Sequence, residues 1–219
     1  MNPQTGSGVW RIRSAATSSF VASNERSRVS AEHRELMGSA IERDGAAQRA
    51  LLSGDVPDAR RAFAEAADLY RRSWEVASAT SYGRLIGMLK SAVLAGGGEE
   101  EARYARAQLS ERSADSPAAA YARALAALIL GDGEAADRWS EQMRSGGEAF
   151  IRTAAAIRAL ARDDAAAYRA ALEQIVGDFE GRAEHLTGVA IADTALMLQQ
   201  LAARRGLQAD LDSGVLPSV

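Results

Sequence analysis

The 219-residue chain contains no cysteine, which removes disulfides, thiolate catalysis and thiolate metal sites and fits a reducing cytoplasm. Lysine is almost as scarce. Of the 26 basic residues Lys90 alone is a lysine, so positive charge resides on planar guanidinium forks suited to bidentate carboxylate pairing. Four prolines and 5% aromatic residues leave strands with little support. No run approaches the roughly 18 apolar residues that a membrane span needs, and the N-terminus lacks the uninterrupted apolar stretch of a signal peptide. A net charge of −3 gives no field for drawing in a polyanion. The two histidines, His33 and His185, stand far apart with no second ligand at metal spacing. Together these absences predict a soluble cytoplasmic protein with no cofactor, no metal, no nucleic-acid partner and no membrane contact.

What the chain does hold is alanine, roughly a fifth of all residues, in segments whose apolar positions recur at three and four. Residues 1–28 are the exception. They are rich in Ser, Asn, Gly and Arg and predict a flexible N-terminal arm, although Trp10, Phe20 and Val21 also suit an arm packed along the helices or against a partner. The remainder, 29–219, predicts one helical domain. From Val29 a helical stretch begins, with Ser30 as its cap, Glu32 and Glu35 near its positive end and a break at Asp44-Gly45.

The stretch "LLSGDVPDARRAFAEA" at Leu51–Ala66 is echoed by "LILGDGEAADRWSEQM" at Leu128–Met143. In the first, Gly54 closes an apolar helix end, Asp55 caps the next helix, and Pro57 fits its first turn. A stripe of Ala59, Ala62, Phe63, Ala66, Tyr70, Trp74 and Ala77 follows. In the echo, Trp139 holds a place like that of Phe63, so the two rings are expected to fill equivalent inter-helix holes. A further copy follows Gly96 to Gly98. A fourth, at Ala161 to Asp164, lacks the glycine but leads into the regular stripe Tyr168, Ala171, Leu172, Ile175, Val176 and Phe179. The breaks recur at spacings of roughly 43, 34 and 32 residues.

With Gly54, Ala59, Phe63 and Ala66 in their expected places, and Pro117 between copies, the segment from the mid-forties to about 180 resembles the tetratricopeptide-like helical repeat superfamily. The resemblance implies an all-α fold of helix-turn-helix repeats stacked as a short solenoid. An antiparallel helical bundle built from the same hairpins is the alternative. The C-terminal stretch predicts a capping helix over 187–205, closed by Gly206, and a short tail stopped by Pro217. With His185, Asp193, "LAARRGL" from Leu201 and "LDSGVLP" from Leu211, it resembles helical immunity proteins of polymorphic toxin systems, which implies neutralisation of a partner toxin by direct binding.

No catalytic constellation is present. Gly96-Gly97-Gly98 is followed by Glu99, Glu100 and Glu101 where a phosphate would need positive charge, and no serine stands in a nucleophile elbow. Asp193 lies among Val189, Ile191, Ala192, Ala195 and Leu196 and therefore predicts a buried carboxylate. Arg158, Arg182 or His185 would pair with it, or it would serve as a general acid or base. Charge divides unevenly between the helices of each hairpin. The first helices carry Arg84, Lys90, Arg123, Arg152, Arg158 and Arg162 against the single acid Glu148, whereas Glu99 to Arg112 and Asp163 to Glu180 are acidic. This pattern predicts a non-enzymatic protein-protein interaction module. Its mildly basic groove, formed by Arg84, Lys90, Arg123, Arg152 and Arg158, would hold an acidic or C-terminal segment of a protein or peptide partner. Arginine stems snorkelling over short helices would give the same distribution. A small-molecule-binding or enzymatic bundle is a further alternative.

Overall fold

Helices and turns, with no strand, make up the described residues, as the alanine-rich segments predict. The structure, a computed structural model, describes residues 12–110 and 116–217. Its helices are α1 (Ile12–Leu52), α2 (Val56–Glu75), α3 (Gly83–Leu94), α4 (Glu99–Ser110), α5 (Pro117–Ile129), α6 (Gly133–Met143), α7 (Glu148–Ala161), α8 (Ala165–Glu180) and α9 (Asp193–Ala203).

The helix ends show why the hairpins form. Gly54 and Gly131 are left-handed, with φ of 79° and 78°, a region that costs glycine nothing. The next residues, Asp55 and Asp132, each accept a bond from a backbone N–H three residues on, at 3.0 Å, and so cap α2 and α6. Their own N–H groups reach back to the carbonyls of Ala50 and Ala127 at 2.9 Å, closing the preceding helix. The fourth copy keeps this geometry without its glycine. Asp163 takes φ 54°, Asp164 accepts from Ala167 N at 3.0 Å, and its N–H bonds the Ala159 carbonyl. The conformation that glycine adopts freely is held there by a residue for which it is strained.

Three boundaries differ from the sequence expectation. The helix continues through Asp44-Gly45 rather than breaking, because tertiary contacts on both residues override the local turn signal. Asp44 is bonded by Tyr70 of α2, and the bare face of Gly45 lets the Thr187 carbonyl come within 3.0 Å of where a Cβ would sit. Residues 12–28, expected as a flexible arm, have helical backbone in α1, since no proline or glycine interrupts them. Trp10 and the rest of 1–11 lie outside the described residues, as do Arg112 and the last two residues of the tail. The expected capping helix 187–205 starts only at Asp193, because Gly188 turns left-handed (φ 69°) and 187–192 run as an irregular segment beside α1.

Consecutive helices pack against one another along the chain, an arrangement that a repeat stack and a bundle share, and α3, α5 and α7 lie side by side. α9 then returns across this row to α3, touching α7 and α8 on the way. Its C-terminal arginines hold it down. Arg204 donates to the Gly97 carbonyl at 2.8 Å, and Arg205 to the Leu128 and Leu160 carbonyls at 3.2 and 3.3 Å, binding cations to the negative ends of helices. Gln199, buried, joins Tyr168 to the backbone of Ala209 in the tail.

The core is one continuous cluster dominated by alanine and leucine. Phe63 sits inside it at 1% exposure. Trp139 only borders it, its ring flanked by Arg123 at 4.7 Å and Arg138 at 5.8 Å, so the two echoing aromatic positions are not equivalent. Accordingly Phe63→Ala should cost about 3–5 kcal/mol and Trp139→Ala roughly 1–2 kcal/mol in urea unfolding. Equal losses would contradict this packing.

Candidate functional site

Where α1, α3, α5, α7 and α8 face the segment leading into α9, they enclose a pocket of about 360 Å³. Its side chains come from segments far apart in sequence: Asp44 and Gln48 on α1, Tyr70 on α2, Lys90 on α3, Tyr121 on α5, Phe150 and Arg152 on α7, Phe179 on α8, and His185 with Asp193 on the return segment. Gly87 contributes by being bare. A Cβ there would stand 2.8 Å from the Tyr70 ring, so any side chain would displace the ring from its place against Asp44.

The floor is electrostatic. The Lys90 ammonium donates to Asp193 Oδ2 at 2.5 Å, and both side chains keep only 17% and 20% exposure. Asp193 is thus a partly buried carboxylate, as its apolar neighbours predict. Its partner is the lone lysine 103 residues earlier rather than Arg158, Arg182 or His185. Burial, the largest single influence, lowers the pKa of Lys90, but Asp193 together with Tyr121 and Asp44 outweighs it and holds the ammonium above its ordinary value. A lysine kept protonated in this way is a charge and a donor, not a nucleophile.

Asp44 is the second carboxylate. It is 7% exposed, accepts a 3.3 Å bond from the Tyr70 hydroxyl at Oδ2, and leaves Oδ1 without a donor. Burial, and after it the nearby charge of Asp193, pushes its pKa up to about 6, with Lys90 opposing. The Tyr121 hydroxyl, with Thr194 near it, makes no well-formed hydrogen bond, and burial raises its pKa; His185 Nδ1 is a third atom without a hydrogen-bond partner. His185 stacks on Phe179 at 5.5 Å. The rim is more basic. Arg152 and Arg182 share Asp178, at 2.6 and 2.5 Å, and the bond from Arg182, with Arg152 adding to it, holds that carboxyl below its ordinary range. Leu186 stands beside them at 77% exposure, so the pocket opens to solvent across an apolar lip.

The five basic residues expected to form one groove are not brought together. Lys90 and Arg152 line the pocket. Arg84 sits near the start of α3, bonded to Ser73 Oγ at 2.8 Å and His33 Nδ1 at 3.0 Å. Arg123 bonds the Leu109 carbonyl at 2.9 Å, and Arg158 pairs with Asp137 and Glu141 of α6. The arginines of α7 are therefore satisfied against acids of α6 and α8 inside the chain. Asp44 is a candidate site residue that sequence reading missed. Its signal was present, since with the helix continued Asp44 falls on the face of Ala40, Ala47 and Leu51.

Among the described residues no group of acidic or histidine side chains could hold a metal ion, and no helix is long and apolar enough to cross a membrane. The chain matches no family model, and comparison with curated proteins and with solved structures finds no similar one.

Between its ordinary 3.8 and about 6, Asp44 binds its proton more tightly in the folded chain than in the unfolded one. Its ionisation therefore removes stability as pH rises through that window, a loss complete above 6 and absent below 3.8. Asp44→Asn should accordingly be more stable than the wild type by on the order of 2–3 kcal/mol near pH 8, with the advantage gone near pH 4. Denaturant unfolding of both proteins across that range checks the sign. An advantage that grows toward acid would refute it.

Proposed function

We propose that this protein is a non-enzymatic binding protein for a small organic ligand, seated in the pocket between α1, α3, α5, α7 and the return segment. The observation that carries the proposal is the convergence of unsatisfied groups. Asp44 Oδ1, Tyr121 Oη and His185 Nδ1 are buried side-chain atoms without hydrogen-bond partners, and all three residues line this one pocket. Buried polar atoms left unbonded cost stability, and a ligand that bonds them recovers it. The volume suits a compact molecule, and the mixture of aromatic walls with a few polar groups is the usual composition of such a site. The scaffold fits the same reading: helix pairs stacked in the manner of a short tetratricopeptide-like solenoid, with α9 covering part of the row formed by the first helices. An acidic partner segment in a basic groove finds less support, because the arginines expected to bind it are already bonded within the chain: Arg152 and Arg158 to carboxylates, Arg123 to a carbonyl, and Arg84 to Ser73 Oγ and His33 Nδ1.

Leu186 tests the site without disturbing the core. A screen of small amines, acids and alcohols by thermal shift should find ligands that raise Tm. Leu186→Ser should weaken those ligands about three- to tenfold, since an exposed side chain on the lip matters only when something covers it. Its own Tm should match the wild type. Ligands that bind the variant unchanged would place them elsewhere on the molecule.

A further inference from the structure

The pocket floor holds two carboxylates and one ammonium, and the ammonium is spent. Lys90 is bonded to Asp193, which leaves Asp44 facing Gln48 on α1, Tyr70 on α2, Lys90 on α3 and Asp193 on α9, with no cation of its own. Tyr70 and Gln48 satisfy part of it, and Oδ1 receives nothing. The Tyr121 oxygen, in a side chain only 8% exposed, is electrostatically coupled to the same Lys90–Asp193 pair. The rim arginines do not reverse this balance, because Arg152 and Arg182 are engaged with Asp178, and Arg152 with Glu148 as well at 3.7 Å.

Resting on the small-ligand reading, we infer that the pocket selects a primary ammonium carried on an apolar body, with the ammonium seated against Asp44 Oδ1 and Tyr121 Oη and the body against Ile86, Phe150, Ile175 and Phe179. An ammonium brings three N–H donors and one positive charge to a floor whose own ammonium is already engaged with Asp193. A hydroxyl would supply one donor and leave the excess charge in place. A carboxylate would meet Asp44 and Asp193 with repulsion and compete with Asp193 for Lys90. The site is thus the inverse of a basic groove, with its surplus negative charge inside, beneath an apolar and arginine-bearing rim.

Three probes of matched shape read this directly on the full chain by titration calorimetry: 4-phenylbutylamine, 4-phenylbutanol and 4-phenylbutanoate. At about pH 7.5 the amine should bind at least tenfold tighter than the alcohol, and the carboxylate weakest of the three. Lowering the pH to about 5 protonates Asp44 and should cut the amine's affinity about tenfold while leaving the alcohol unchanged. Asp44→Asn should bind amine and alcohol alike at both pH values. Tyr121→Phe, which keeps the ring, should lose part of the amine's preference, and circular dichroism confirms that both variants fold. Equal binding of amine and alcohol by the wild type, or tightest binding of the carboxylate, overturns the ammonium assignment and leaves a small-ligand pocket standing. Binding of none of the three overturns the pocket reading and this inference with it.

Discussion

The ion pair between Lys90 and Asp193 is the contact on which the arrangement of the chain turns. It joins the middle of α3 to the first turn of α9, and it does so where both groups are largely withdrawn from water. A pair in that position contributes less to net stability than to uniqueness, because either member alone would be an uncompensated charge in a poorly solvated place. With Asp193 fixed, the preceding segment is drawn along α1, where Thr187 bonds Gln48 at 2.7 Å. The helix that follows brings Arg204 and Arg205 onto the ends of three others. A single long-range attraction thereby sets both the direction of α9 and the walls of the pocket.

Burial makes Asp44 expensive, and the nearby charge of Asp193 adds to the cost while Lys90 opposes it. Replacement by asparagine would relieve the fold. A destabilising group inside a pocket, next to other unbonded polar atoms, is a feature that binding sites share. The surface ion pairs differ in kind. Arg61 with Asp58 or Arg169 with Glu173 lie in water on one helix and have little influence on the fold.

Local chemistry was legible in the sequence and long-range chemistry was not. Glycine or aspartate in the left-handed position followed by a capping aspartate is written into consecutive residues, so the turns at 54, 131 and 163 could be read directly. Asp44-Gly45 has the two residue types in the opposite order, a local turn signal all the same, and is helix, because what decides it is Tyr70 and Thr187, distant in sequence. The burial of Asp193 followed from its apolar neighbours, but nothing local names its partner among the basic residues of the chain. The sorting of charge between first and second helices was visible as a pattern. Whether those arginines look outward to a partner or sideways to the next helix depends on inter-helix distances that periodicity does not contain.

The return of α9 to α3 also changes how the architecture can vary. An open stack of hairpins gains or loses a unit at little cost, since each unit meets only its neighbours. Here the second hairpin and the last helix are fastened to each other, so the number of hairpins between them sets the span that α9 must cross. Deleting α5 with α6 would carry Asp193 past Lys90, and inserting a pair would leave it short. The number of helices between α3 and α9 is thereby tied to the contact that joins those two.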